Sequence, residues 1–235
     1  MKMSTLLTMA ALAVTTSIGL PAQDAASASK LTVKNNLKLW LAADAGVTKD
    51  ASGKVSAWTS QVEPKLALAQ VNAASQPLLV ADAANGLPAL RFDGKANCMV
   101  SPELSKDFAG DFTVFVVWGT ASEQQDLSQD GVSNRILSVP TVKGADYNTG
   151  FQLTNGNKSV TKPTVAVGKY PARPQFKYIG MGGMVNPDNG DIGGFWLTGD
   201  VAEVLIYNAA LSESDEALVT KYLKDKYKIA QTAKQ

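Results

Sequence analysis

The sequence predicts an all-β protein in which two antiparallel sheets form a jelly-roll sandwich and one C-terminal α-helix packs on the outside. Residues 112–118 and 201–207 are apolar at both odd and even positions, which is typical of strands that are covered on both faces. Other apolar runs are short and alternate with clusters of Gly, Pro, Asn and Asp, as in chains of many strands joined by turns. A single amphipathic segment follows the second covered strand and predicts the helix.

The remaining predicted strands are spread over the chain between these turn clusters. They are Leu37–Leu41, Val55–Thr59, Leu78–Val80, Ala89–Phe92, Ile136–Val139, Phe151–Leu153, Thr164–Val167 and Phe176–Ile179. Two covered strands among many short ones fit two sheets that pack face to face.

The helix is predicted to begin at Ser212, whose hydroxyl can accept an exposed backbone N–H while Asp215 reaches back to complete a capping box. Acidic residues crowd its first turn and lysines its later turns, which suits the helix dipole. Its apolar stripe is predicted to comprise Leu218, Val219, Tyr222, Leu223 and Tyr227. A helix that closes a strand-rich chain is expected to pack on the outside of the sandwich.

The first residues have the features of a signal peptide. Lys2 provides a positive start, Leu6 to Leu20 is mostly apolar, and small residues follow, so residues 1–28 are expected to be removed after Ala22 or Ala28. An uncleaved membrane anchor is the alternative. We expect residues 29–235 to form one domain that is secreted, periplasmic or on the cell surface, with no membrane span after cleavage.

Composition limits the chemistry. The chain contains one cysteine and no histidine, which excludes a Ser-His-Asp triad, a Cys-His pair and a histidine-ligated zinc site. Cys98 is expected to be buried in a strand. Any bound metal would need oxygen ligands, which favours calcium, although no cofactor is required. A formal net charge of +1 argues against nucleic acid as a partner.

The closing segment GDVAEVLIYNAALSESDEALVTKYLKDKYKI (199–229) resembles the last strand and helix of bacterial laminin-G-like domains, a group within the concanavalin A-like lectin/glucanase superfamily. Further blocks resemble that family in the same order: LKLWLAADAGV (37–47), VSAWTSQ (55–61), QPLLV (76–80), GLPALRFDGKANCMVS (86–101) and DFTVFVVW (111–118). The resemblance covers about 37–118 and 195–229. It implies a concanavalin A-like jelly roll and an extracellular binding or adhesion function.

Catalysis is not expected, although the superfamily includes glucanases. Those enzymes resemble one another in a strand motif E-x-D-x-x-E, which this sequence lacks. The nearest pair is Asp200 and Glu203, which strand alternation places on opposite faces unless a bulge intervenes. Glu203 is therefore expected to bind a backbone amide or a basic group within the fold. Jelly-roll polysaccharide lyases usually rely on a histidine, which is absent.

Several loop residues are candidates for sugar binding, because sugar sites combine aromatic rings with polar groups. Trp40, Trp58 and Trp118 are expected in the core. The candidates are Tyr147, Asn148, Tyr170, Arg173 and Trp196. The stretch 169–178 interleaves basic and aromatic residues, which suits an acidic glycan or, in other proteins, single-stranded nucleic acid. A connecting loop without a ligand is the alternative.

The oxygen-rich loop 186–191 is the candidate calcium site, with Asp188, Asn189 and Asp191 as ligands. A plain turn is the alternative, since these residue types are common in turns. Asp126 and Asp130 are a weaker candidate pair. Taken together, the sequence predicts an exported non-catalytic module that binds a glycan or another cell-surface or extracellular polymer. A structural or protein-interaction module without sugar specificity is the alternative.

Overall fold

Antiparallel strands form two sheets in the computed structural model, which describes residues 30–63, 65–105, 108–120, 135–140, 151–154 and 162–230. A short 3-10 helix spans Ala73–Ser75, and helix α1 spans Glu213–Lys226. The strands are β1 (Leu37–Ala42), β2 (Val47–Lys49), β3 (Val55–Thr59), β4 (Ala67–Ala69), β5 (Leu78–Ala84), β6 (Leu87–Asp93), β7 (Met99–Val100), β8 (Gly110–Gly119), β9 (Arg135–Val139), β10 (Phe151–Thr154), β11 (Thr164–Arg173), β12 (Gly180–Met181) and β13 (Thr198–Tyr207).

The first sheet is built around β13. Its strand order is β11-β8-β13-β6-β5. The edge of β13 away from β8 is shared, since β6 pairs with residues 198–201 and β1 pairs with residues 203–207. The second sheet has the order β10-β9-β12-β7-β4-β3-β2. Both predicted covered strands, β8 and β13, are therefore central strands of the same sheet.

The first sheet has an apolar layer on each face, which explains the apolar residues at both parities. In β8, Val114 and Val116 belong to the core between the two sheets. The alternate residues Phe115 and Val117 belong to a second core beneath α1. The predicted architecture is confirmed: two antiparallel sheets form a sandwich, and one C-terminal helix packs on the outside.

Helix α1 begins as predicted but buries a narrower stripe. The Ser212 hydroxyl accepts a hydrogen bond from the Asp215 N–H at 3.2 Å and donates one to Asp215 Oδ2 at 3.0 Å. Val219, Tyr222 and Leu223 are buried. The prediction was wrong for Leu218, which is 49% exposed. It precedes Val219 by one residue, and one residue turns an α-helix by about 100° away from the buried stripe.

The prediction of a strand at Phe176–Ile179 was also wrong, because regular strand pairing begins only at Gly180, in β12. The preceding residues bind several partners in turn. The Phe176 N–H donates to Phe108 O, and the Ile179 N–H donates to the Ser101 side chain. A strand requires neighbouring bonds to one continuous partner, and this stretch lacks one.

No helix in the described part of the chain has the length and apolar character needed to cross a bilayer. The predicted signal peptide, residues 1–28, lies outside the described residues.

Candidate functional site

The two carboxylates of the closing strand lie on the same face of the first sheet. Between Val201 and Glu203, β13 advances by two residues while its partner β8 advances by one. This bulge turns Glu203 toward α1. Asp200 points the same way. Its partner Arg91 lies between two residues of β6 that face the inter-sheet core, so Arg91 faces the opposite side, on which α1 packs. The sequence predicted opposite faces for these two side chains unless a bulge intervened, and this bulge is present.

Glu203 anchors the helix to the sheet. Its side chain is fully buried. Oε1 accepts hydrogen bonds from Trp40 Nε1 at 2.7 Å and from the Tyr222 hydroxyl at 2.8 Å. Oε2 accepts from Lys226 Nζ at 2.8 Å and from the Tyr227 hydroxyl at 2.9 Å. Burial and the Glu203 charge raise the pKa of both tyrosines, which keeps them as neutral donors.

Asp200 likewise accepts hydrogen bonds from a side chain of the fold. Its two oxygens accept from Arg91 Nε and Nη2, each at 2.8 Å, which is the bidentate geometry of strong Arg–carboxylate pairs. The hydrogen bond to Asp200 raises the pKa of the Arg91 guanidinium. Both acids of the closing strand thus bind groups of the fold itself.

The single cysteine is buried, as predicted, but the prediction of a strand position was wrong, because β7 begins one residue later at Met99. Gln70 Nε2 donates to Cys98 Sγ at 3.1 Å and to the Cys98 carbonyl at 3.3 Å. Burial raises the pKa of the thiol. Cys98 is therefore a neutral packing residue rather than a nucleophile, because the thiolate is the reactive form.

The oxygen-rich loop 186–191 is closed by its own side chains. Asn186 Oδ1 accepts from the Asp188 N–H at 2.8 Å, and Asn189 Oδ1 accepts from the Asp191 N–H at 3.0 Å. Asn189 Nδ2 donates to Asp191 Oδ2 at 2.6 Å. A cation would compete with these bonds for the two amide oxygens. No cluster of three Cys, Asp or Glu residues suited to a metal occurs in the described ranges. Calcium binding stays a prediction.

This loop is the tip of a hairpin that lies on the outer face of the second sheet. Val185 and Ile192 pair across the hairpin, and the Met184 carbonyl accepts from the Gly193 N–H at 2.9 Å. Both paired side chains pack against β12 at Gly180. A Cβ atom at this position would overlap Val185 Cγ2 and would lie 3.3 Å from Ile192 Cδ1. The absent side chain allows the hairpin to approach the sheet closely.

Gly180→Ala is expected to lower the free energy of unfolding by about 1–3 kcal/mol, the usual cost of an overpacked core. Val185 is buried and β-branched, so it cannot swing aside easily. Urea unfolding followed by tryptophan fluorescence would measure the loss. Gly193→Ala is the matched control, since no atom lies within 4 Å of its added Cβ. Equal effects of the two changes would contradict this packing.

A groove of about 460 Å³ lies beside the hairpin. Ala69 of β4 and Val100 of β7, which pair across the second sheet, form part of its lining. The rest of the lining comes from Gln70, Val71, Cys98, Ser101, Pro102, Gly190, Asp191 and Ile192. The Val71 side chain is 95% exposed.

Most polar side chains of the groove already have partners. Ser101 Oγ donates to the Pro102 carbonyl at 2.8 Å and accepts from the Ile179 N–H at 2.9 Å. Gln70 binds Cys98 through its amide nitrogen. Asp191 differs: Oδ2 accepts from the hairpin, whereas Oδ1 has no hydrogen-bond partner among the residues described. Asp191 therefore offers a free acceptor at the groove.

The sequence-predicted sugar ligands that the structure describes lie outside the groove lining. Tyr170 and Arg173 are at the end of β11 in the first sheet, where the Arg173 guanidinium lies 6.0 Å from the Tyr170 ring centroid. Tyr170 packs against the inter-sheet core, and burial raises its pKa. Trp196 is partly buried near the base of the hairpin. Four further candidates lie outside the described residues: Asp126, Asp130, Tyr147 and Asn148.

Among the candidates that the structure describes, Asp191 is the one that lines the groove. The neighbouring groove residues were missed because they come from three separate segments, 69–71, 98–102 and 190–192. No motif joins these segments. The pairing of β4 with β7 and of β7 with β12 brings them together.

No protein-family model and no curated protein sequence matches the chain. Among solved structures, the chain is similar to Trypanosoma rangeli sialidase in complex with sialic acid, with a TM-score of 0.47, 15% identity and coverage of 80% of this chain and 33% of the sialidase chain. A second structure of Trypanosoma rangeli sialidase matches with a TM-score of 0.45, 15% identity and coverage of 80% of this chain and 33% of the sialidase chain. The chain thus spans about a third of the length of these sialidase chains.

Proposed function

We propose that this protein is an exported, non-catalytic binding module of the laminin-G-like type, which holds an extracellular glycan in the groove beside the hairpin. The groove is the observation that carries the proposal, because it combines aliphatic surface with a free acceptor, Asp191 Oδ1. The predicted signal peptide would deliver the module to the secreted, periplasmic or cell-surface compartment in which such polymers occur.

The absence of turnover is supported by the state of the acidic residues. Retaining glycoside hydrolysis needs two carboxyl groups about 5–5.5 Å apart, one as an acid and one as a nucleophile. Asp200 and Glu203 are bound within the fold to Arg91 and Lys226. Asp191 is the single carboxylate that lines the groove within the described chain. A lone carboxylate can hold a sugar hydroxyl but cannot supply both roles.

The lining of the groove suits the two surfaces of a sugar ring. Val71, Val100 and Ile192 offer aliphatic contacts for the C–H face. Asp191 offers a charged oxygen for a hydroxyl donor, and such charge-assisted hydrogen bonds are stronger than neutral ones. A largely apolar cleft with few polar groups is the usual pattern of a small-molecule site.

A protein-interaction module is the second candidate, and one feature favours it. No aromatic side chain is among the described residues that line the groove, although aromatic platforms are common in sugar sites. The exposed Val71 would equally well receive an apolar side chain of another protein. In that case the groove would be the docking point but would show no sugar specificity.

Val71→Ala is the change that tests the groove. Because the side chain is 95% exposed, its truncation should leave the melting temperature unchanged. The affinity for a glycan found on an array should fall by up to about fifteenfold, since the change removes two carbon groups and each buried methylene contributes roughly 0.8 kcal/mol. Isothermal titration with the best glycan would measure the change.

Leu218→Ala is the control for this test, because Leu218 is an exposed leucine on α1, on the opposite side of the sandwich. It should leave the affinity unaltered. Glycan binding that is insensitive to Val71→Ala would place the site elsewhere. No glycan binding at all, together with a protein partner that is lost on Val71→Ala, would favour the second candidate.

A further inference from the structure

The groove has a charge character that restricts its ligands, and this step rests on the proposed function. Asp191 is exposed at the rim, and no lysine or arginine is among the described lining residues. Cys98 is the other ionisable residue of the lining, and burial raises its pKa, so the thiol is neutral. The groove therefore carries one negative charge without a counter-charge in its lining.

Asp191 is also held in a fixed orientation. The Asn189 side chain binds it twice, since Asn189 Oδ1 accepts from the Asp191 N–H and Asn189 Nδ2 donates to Asp191 Oδ2. These bonds leave Oδ1 as the oxygen available to a ligand. A preorganised acceptor loses little conformational entropy when a donor binds.

The lysines of the segment 169–178 lie outside the groove lining. Lys177 Nζ lies 3.3 Å from the Asp188 carbonyl and 5.4 Å from the Tyr178 ring centroid. In the stretch 169–178, which suggested an acidic glycan from sequence, Lys169 pairs with Glu216 of α1. That pair belongs to the face of the first sheet that α1 covers, so it cannot neutralise an acidic ligand in the groove.

We infer that the groove selects uncharged glycans, with Asp191 Oδ1 accepting hydrogen bonds from sugar hydroxyls and repelling uronic and sulfated sugars. Like charges at close range oppose binding, and sugar hydroxyls supply donors that a carboxylate favours. This assigns a ligand class and a selecting residue to the site.

The test compares neutral and acidic glycans on the mature wild-type protein and on two variants. Wild type should bind neutral glucans, mannans or galactans at least tenfold more tightly than their uronate or sulfated counterparts. Asp191→Asn should lower the affinity for neutral glycans about tenfold. It should also reduce or abolish the preference for neutral over acidic glycans. Asp188→Asn is the matched control, because Asp188 is exposed in the same loop but does not line the groove. It should change neither class.

The outcomes separate this inference from the proposed function. Tight binding of acidic glycans by wild type, weakened by Val71→Ala, would overturn the selection rule but keep the groove as the site. Equal effects of Asp191→Asn and Asp188→Asn would overturn the role of Asp191. Binding unaffected by Val71→Ala, or no glycan binding at all, would overturn the proposed function and this inference together. The wild-type comparison needs no variant and so does not depend on Asp191→Asn folding correctly.

Discussion

Glu203→Ala is expected to lower the free energy of unfolding by about 3–5 kcal/mol, the usual cost of removing one partner of a buried ion pair. The change would remove the buried carboxylate whose Oε2 lies 2.8 Å from Lys226 Nζ, and the ammonium would lose this partner. It would also remove the acceptor for Trp40, Tyr222 and Tyr227, which join the first sheet to α1. Urea unfolding monitored by circular dichroism would measure the loss.

Asp44→Ala is the matched control, since the same lysine binds both acids. Lys226 Nζ lies 3.1 Å from Asp44 Oδ2, but the Asp44 side chain is 37% exposed. Exposed ion pairs contribute about 0–1 kcal/mol, so this variant should remain close to wild type. Similar losses for the two variants would mean that the Lys226 charge, rather than the buried Glu203 network, anchors the helix.

The sequence predicted the parts of the fold that depend on local chemistry. The apolar residues at both parities of 112–118 and 201–207 identified the two central strands, because both faces of the first sheet are covered. The Ser212 cap marked the start of α1 to within one residue. These features depend on neighbouring residues of one segment, and sequence patterns record such features directly.

The errors arose where a distant contact overrides the local pattern. Phe176–Ile179 has the apolar character of a strand, yet Ser101 and Phe108 bind its backbone irregularly. Leu218 has helical spacing from Tyr222 but lies outside the buried stripe. The bulge at Ala202 is a property of the pairing between β13 and β8. No property of the residues before and after it predicts an extra residue at that point.

The groove could not be predicted for the same reason. Ala69 and Val100 are ordinary strand residues in sequence, and only their cross-strand pairing brings them together in the groove. Asp191 was selected as a cation ligand because it lies among Asn and Asp residues. Its position at the groove gives it a second, different use as a hydrogen-bond acceptor. Residue type indicated that this side chain is polar and exposed but not which surface it faces.

Leu223→Ala is expected to cost about 2–5 kcal/mol of unfolding free energy, as for other fully buried leucines. The side chain is part of the core between α1 and the first sheet, and its truncation would leave a cavity there. Leu218→Ala on the same helix makes the same chemical change at a side chain that is 49% exposed, so it should cost about 1 kcal/mol or less. Thermal and urea unfolding of both variants would compare them. A larger loss for Leu218→Ala would mean that α1 presents a different face to the sheet, which would also displace Tyr222 and Lys226 from Glu203.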